Sequence, residues 1–213
     1  RGNLKFSVGN FQEAVKDFSL AIRYKPNYAE AYNNRGQCRT KLGEYEEAIE
    51  DFSKAIEFNP EFYQAYIKRG NAHMELKHYQ KAIKDYEAAL EIKPNNTQAS
   101  DNLQKAKEQI QASKQRIKDY SSYIKLEPGD PNAYFNRAKA YLAINKTEEA
   151  IDDLSKAIEL KEDFAQAYSK RSKAYEQNKE YGKAIGDLSK YIAIKPKSAD
   201  AYFERANLRQ AVD

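Results

Sequence analysis

Apolar and small residues recur along this chain at spacings of three, four and seven, and the pattern itself returns every 34 residues. Ala48, Ile49, Phe52, Ala55 and Ile56 make one such set, and Ala150, Ile151, Leu154, Ala157 and Ile158 repeat it three periods later. These spacings place the set on one stripe of a helix, where a strand would need strict alternation. Prolines mark the same ruler. Pro26, Pro60, Pro94, Pro128 and Pro196 all fall on it, and Glu162 is the one miss. An interval of this length is that of a two-helix repeat, with proline stopping the second helix.

With the proline at position 32, full units begin at Ala29, Tyr63, Thr97, Pro131 and Ala165. The segments are therefore 1–28 (partial), 29–62, 63–96, 97–130, 131–164, 165–198 and 199–213 (a first helix only). Alanine at position 20 and usually at 27, with Gly36 and Gly70 at position 8, lets two helices approach closely. Tyrosine at position 4 and Phe, Tyr or Leu at position 24 fill the volume beside them. Gly9, Gly43 and Asn145 share position 15, the place for a helix C-cap that lets the chain reverse. A single helix pair cannot bury its apolar face, whereas a stack of pairs can.

Unit two, AEAYNNRGQCRTKLGEYEEAIEDFSKAIEFNP, resembles the tetratricopeptide repeat family, and the likeness extends over essentially all 213 residues. Tyrosine stands at position 4 where the family usually has Trp. The resemblance implies an all-α, right-handed superhelical solenoid of antiparallel helix pairs, with the first helices lining a concave face.

Unit four departs from the pattern. Arg116 and Tyr123 replace small residues at positions 20 and 27, Gln104 replaces glycine at position 8, and Gln111-Ala112-Ser113 offers no turn former. Two readings follow: Ser113 N-caps a second helix, or helix runs unbroken from about Gln98 to Leu126 and divides the array into two blocks. The unchanged 34-residue register on either side favours the first, a continuous but loosened stack.

Composition narrows the chemistry. The chain carries 36 Lys+Arg against 32 Asp+Glu, and mean hydropathy is −0.93, so no membrane span is expected. One cysteine and two histidines leave no zinc cluster. Cys38 occupies a small-residue packing place and reads as a structural thiol, while His73 and His78, five apart, read as surface residues. Arginine at position 7 (Arg1, Arg35, Arg69, Arg137, Arg171 and Arg205) is expected to meet aspartate at position 23 (Asp17, Asp51, Asp85, Asp119, Asp153 and Asp187) of its own or an adjacent unit, a structural ladder of ion pairs. Neither a nucleophile with its base nor a glycine-rich phosphate loop is present, so no enzyme activity and no cofactor are expected. The single cysteine suits a reducing, cytoplasmic setting.

Binding remains. Positions on the first helices that would face the groove include Asn3, Asn33, Asn34, Gln37, Gln64, Lys68, Asn71, Lys105, Asn136, Lys139, Lys170 and Lys173. Asparagine amides can hydrogen-bond a peptide main chain and lysines can meet carboxylates. Phe135, Leu142 and Phe203 would supply apolar pockets. The first three units are also similar to the chaperone-tail-binding members of the family, whose clamp holds a C-terminal carboxylate. That resemblance implies clamp roles for Asn3 and Asn34, and for Lys68 where the family usually has Arg. Gln64 stands in place of a clamp lysine. The expected partner is a peptide or protein segment bound by a non-catalytic scaffold, with no membrane insertion. RNA binding along the lysines and self-association through the ends of the stack are the alternatives.

Overall fold

The computed structural model describes Gly2 and residues 9–212, and within them the regular structure is entirely α-helical. Eleven helices follow Gly9 and Asn10: α1 (Phe11–Tyr24), α2 (Ala29–Leu42), α3 (Tyr45–Phe58), α4 (Tyr63–Glu75), α5 (Tyr79–Ile92), α6 (Thr97–Leu126), α7 (Pro131–Ala143), α8 (Thr147–Leu160), α9 (Ala165–Gln177), α10 (Tyr181–Ile194) and α11 (Ala199–Gln210). Neighbours in sequence pack as antiparallel hairpins: α2 on α3, α4 on α5, α7 on α8, α9 on α10. The chain divides into two compact units, Arg1–Ile110 and Gln111–Asp213.

In the first unit, Ala82, Tyr86, Ala89, Ala99 and Ala106 are buried around Ile67, while Phe18 and Cys38 close a smaller cluster with Ala14. In the second, Ala138, Ala150, Leu154, Ala157 and Phe164 form one cluster and Ala184, Leu188, Ile192, Ala201 and Leu208 another. Of the alanines predicted to permit nesting, Ala14, Ala48, Ala55, Ala82, Ala89, Ala150, Ala157 and Ala184 have no exposed surface. A Leu or Phe in their place would hold the helices apart.

The hairpin turns share one device. At position 15 the backbone enters the left-handed region at Gly9 (φ 78°), Gly43 (φ 81°), Lys77 (φ 61°), Asn145 (φ 59°) and Lys179 (φ 61°). For lysine this conformation costs about 1–2 kcal/mol. Two units turn there anyway, so nesting of the small residues offsets the strain.

Unit four does not turn. Residues 97–126 form one 30-residue helix, with Gln111 at position 15 helical and Ser113 buried inside the helix, where it caps nothing. The expectation of an ordinary hairpin is corrected, and the reason lies in the side chains. With Gln104 at position 8 and Arg116, Tyr120 and Tyr123 at 20, 24 and 27, a folded-back pair would have no close-packed seam to offset the left-handed residue. Each hairpin turn also leaves helix-end groups that need capping, and a continuous helix avoids that.

The arginine–aspartate ladder is present. Arg35 donates to both oxygens of Asp51 (2.6–3.1 Å), Arg69 to both of Asp85, Arg137 to both of Asp153, and Arg171 to both of Asp187. The remaining guanidinium nitrogen reaches back to the preceding helix, from Arg35 to Ser19, Arg69 to Ser53, Arg137 to Ser121 and Arg171 to Ser155. Each position-4 tyrosine ring lies beside its own arginine, as Tyr32 does at 5.4 Å from Arg35. The Arg–Asp pair ties the two helices of one hairpin together, and the Arg–Ser bond ties that hairpin to the helix before it. The ladder lapses at unit four, where Leu103 and Glu87 stand at the corresponding places and Glu87 instead meets Lys107 at 3.6 Å.

Candidate functional site

Helices α2 and α4 are both first helices and lie against each other in the first unit. Their facing positions build a polar network. Asn33, 4% exposed, donates from Nδ2 to Asn34 Oδ1 at 3.1 Å, and Gln37 Nε2 donates to the same oxygen at 3.0 Å. Lys68, on α4, donates from Nζ to Asn33 Oδ1 at 3.4 Å. No carboxylate pairs with Lys68 among the described residues, and burial brings its ammonium down to about 8. A half-buried cation held by a neutral amide is a poor contributor to stability and a good receptor for an anion.

One turn further along α4, Asn71 Oδ1 accepts from the Tyr86 hydroxyl and from Asn102 Nδ2, both at 2.8 Å. Burial pushes the Tyr86 phenol up, so it stays a neutral donor. Asn102 comes from α6, whereas Tyr86 reads from sequence as core filler. Its predecessors at position 24 are Phe18 and Phe52, and the change from Phe to Tyr is the signal that a polar end is wanted there.

Other predicted groove residues do not join this network. Gln64 and Lys105 are exposed, and Asn3 lies outside the described residues. In the second unit, Lys139 lies over the Phe135 ring at 5.4 Å and approaches Asn136 Oδ1 at 3.5 Å, and Lys173 pairs with Glu204 at 3.3 Å. Lys170 is exposed on the same helix as Lys173. Two of the expected apolar pockets are occupied by the protein itself. Phe135 stacks on Phe164 at 4.9 Å and Leu142 packs against the adjacent core, leaving Phe203 as the exposed ring, 68% open.

The second unit has a pocket of its own, about 470 Å³, between the end of α6 and the start of α7. Arg116, Tyr120 and Tyr123 face Asn132 and Asn136 across it. Sequence reading found Arg116 and Tyr123 only as misfits in a seam. Once α6 runs straight, no first helix of unit four covers them.

The histidines are also placed differently from expectation. His73 is 7% exposed and its ring lies 5.8 Å from that of His78, because one ends α4 and the other opens α5 across the hairpin. Five residues apart along one helix they would diverge; the turn brings them together. Burial, then the charges of His78, Lys81 and Arg69, holds His73 down at about 4. Cys38 is fully buried, and burial raises its thiol to about 11, consistent with an inert packing role. Among the described residues, no group of three metal-ligating side chains occurs, and no helix is long and apolar enough to cross a membrane.

Comparison with known proteins bears on the repeat fold. The family descriptions tetratricopeptide repeat and TPR repeat match residues 29–62, 63–96 and 120–152 and residues 2–41 and 139–179, respectively. The first TPR of Spaghetti (RPAP3), bound to the HSP90 peptide SRMEEVD, is 31% identical over 50% of this chain and 85% of that one, with a TM-score of 0.50. The Arabidopsis OM64 TPR domain is 28% identical over 51% of this chain and 89% of its own, also at 0.50. The P58(IPK) TPR domain spans 98% of this chain and 62% of its own at 22% identity and a TM-score of 0.57, a likeness of fold. No curated protein sequence matches the chain. The helix-pair stack, its 34-residue register and these matches together establish that the chain belongs to the tetratricopeptide repeat family.

Proposed function

We propose that this protein is a non-catalytic scaffold whose first unit holds the C-terminal segment of a partner protein. In this reading the partner's terminal carboxylate meets Lys68, and the amides of Asn33, Asn34 and Gln37 line its path. The observation that carries it is Lys68: a half-buried ammonium on α4, hydrogen-bonded to Asn33 and given no carboxylate among the described residues. A ligand carboxylate there would gain a charge-assisted hydrogen bond and relieve the burial of an unpaired cation. The peptide bound to the RPAP3 domain ends in an acidic residue, which supports an acidic tail as the ligand class.

Two departures shape the expectation. Lysine in place of Arg gives a point charge without bidentate geometry, and Gln64 contributes no charge. The affinity of this groove should therefore be lower than that of a clamp with both cations. The RNA reading loses ground because Lys173 is already neutralised by Glu204.

The test is affinity purification with mass spectrometry on the intact chain, repeated with Asn34, Lys68, Asn136 and Lys170 changed to Ala. Restoring Asn136 and Lys170 should recover none of the lost partners if the first unit is the receptor. Partner capture that survives Asn34→Ala with Lys68→Ala would remove this groove from the mechanism.

A further inference from the structure

His73 and His78 are the only histidines of the chain, and the α4–α5 hairpin brings them to one place. Their ring centroids lie 5.8 Å apart at an interplanar angle of 51°. Nδ1 of each ring is buried and meets no hydrogen-bond partner among the described residues. His78 precedes α5 without capping it, so its ring is not spent on the helix end. The same two places in later hairpins hold Tyr141 with Lys146 and Tyr175 with Glu180, and those chains turn through a left-handed residue as this one does. The turn therefore needs neither imidazole.

A buried nitrogen without a partner is uncommon in a folded chain, and two on neighbouring rings call for one explanation. Two imidazoles on one metal ion, each with a metal–nitrogen bond of about 2.0–2.1 Å, set their centroids roughly 5–6.5 Å apart as the angle at the metal opens from tetrahedral to linear. The observed separation falls inside that span. On its other side His73 has Nε2 3.9 Å from Asp85 Oδ2. That carboxylate favours the ring proton on Nε2 and leaves the Nδ1 lone pair free, the outer arrangement usual around ligating histidines. Burial, and then nearby positive charge, keeps both rings below the ordinary histidine value, so both are in the neutral form that binds metal. The fixed charges around the pair offset one another, Lys81 and Arg69 against Asp85 and Glu46. Asp85 is already held by Arg69, so ligation falls to the two nitrogens.

We propose that His73 and His78 form a two-nitrogen site for a divalent transition metal of the imidazole-binding kind, such as zinc, with water completing its coordination. The bound ion ties the end of α4 to the start of α5 across Lys77, the left-handed residue of that turn (φ 61°), and so stiffens the hairpin. Two protein ligands hold an ion less firmly than the four of a structural zinc centre, so a chelator removes it. The site uses neither Lys68 nor its amides and stands independently of the groove reading.

The experiment uses the full chain, freed of metal by chelation and titrated with zinc chloride at neutral pH, with calorimetry, imidazole nitrogen NMR and thermal unfolding as readouts. One zinc ion should bind per chain, both Nδ1 signals should shift, and the unfolding temperature should climb with zinc concentration. His73→Gln and His78→Gln should each weaken zinc binding at least about tenfold, no less than loss of an outer partner costs at a metal site. Lys68→Ala should bind zinc as the wild type does. His78 is only half-buried, so its variant disturbs the fold least, and the nitrogen signals of the wild type decide the matter even where a variant unfolds. Absence of zinc binding by the wild type, affinity unchanged in either folded histidine variant, or Nδ1 signals that stay still would each overturn the site.

Discussion

Phe52 packs so closely over Gly36 that a Cβ on the glycine would stand 2.8 Å from its Cε1. In the second unit the same two positions are Ala138 and Leu154, buried in one cluster. The aromatic needs the absent side chain, and the smaller leucine leaves room for a methyl. Gly36→Ala should destabilise the first unit by about 1–2 kcal/mol, the overpacking outweighing alanine's better helix propensity. Adding Phe52→Leu should recover part of that loss. A double-mutant cycle by chemical denaturation checks it, and additive losses would show that the two residues do not share a seam.

The unbroken α6 predicts its own exchange behaviour. Backbone amides of residues 111–116 lie in mid-helix and should be protected from hydrogen exchange as strongly as those of residues 104–108. The corresponding amides after Gly43 and Asn145, at hairpin turns, should exchange faster. Rapid exchange centred on Gln111–Ser113 would restore the hairpin.

That helix also marks the boundary of what the sequence discloses. The 34-residue ruler, the buried alanines and the Arg35–Asp51 type of pair are legible because each recurs several times, and repetition separates a packing role from chance. Lys77 and Lys179 at left-handed turns are not legible, since nothing about lysine advertises that conformation and only the surrounding seam makes it tolerable. For the same reason a missing turn former at Gln111 could not by itself decide between hairpin and straight helix. The groove is half legible. Asn33, Asn34, Gln37 and Lys68 follow from position, but the hold of Tyr86 on Asn71 depends on two side chains fifteen residues apart meeting across a hairpin. His73 and His78 were misplaced because helical spacing was applied across a turn.

His73 makes the first unit acid-sensitive. Its folded-state value near 4 lies below the ordinary histidine value, so between about pH 6.5 and 4 the unfolded chain binds the additional proton. Stability from this group is complete above pH 6.5 and declines as pH falls toward 4. Protonation places a charge beside His78, Lys81 and Arg69, with Asp85 the facing carboxylate, 3.9 Å away. The loss should be about 2 kcal/mol, allowing for the solvent that still reaches the ring. Denaturation of wild type and His73→Gln across pH 4–7 checks it. Equal slopes for the two proteins would exclude His73 as the cause.

Lys68 should trade stability for binding. Below its folded value near 8 the folded state bears a half-buried, unpaired charge, and the penalty fades as pH rises from 8 toward the free-lysine value. Lys68→Met should therefore raise stability at pH 7 by about 1 kcal/mol, after allowance for screening, while lowering affinity for an acidic peptide. A bound carboxylate favours the protonated amine, so binding at pH 8 should take up protons from the buffer and affinity should fall as pH rises further. Calorimetry in two buffers of different ionisation enthalpy measures that uptake. Zero uptake would mean that Lys68 does not meet the ligand's charge.

The central claim is that the first unit reads a terminal carboxylate at Lys68, and the most direct measurement compares SRMEEVD as free acid and as C-terminal amide on the same protein. The free acid should bind about tenfold or more tightly than the amide, and Lys68→Ala should erase most of that difference while leaving the fold intact. Equal binding of the two peptides by the wild type, or binding of neither, would contradict the account.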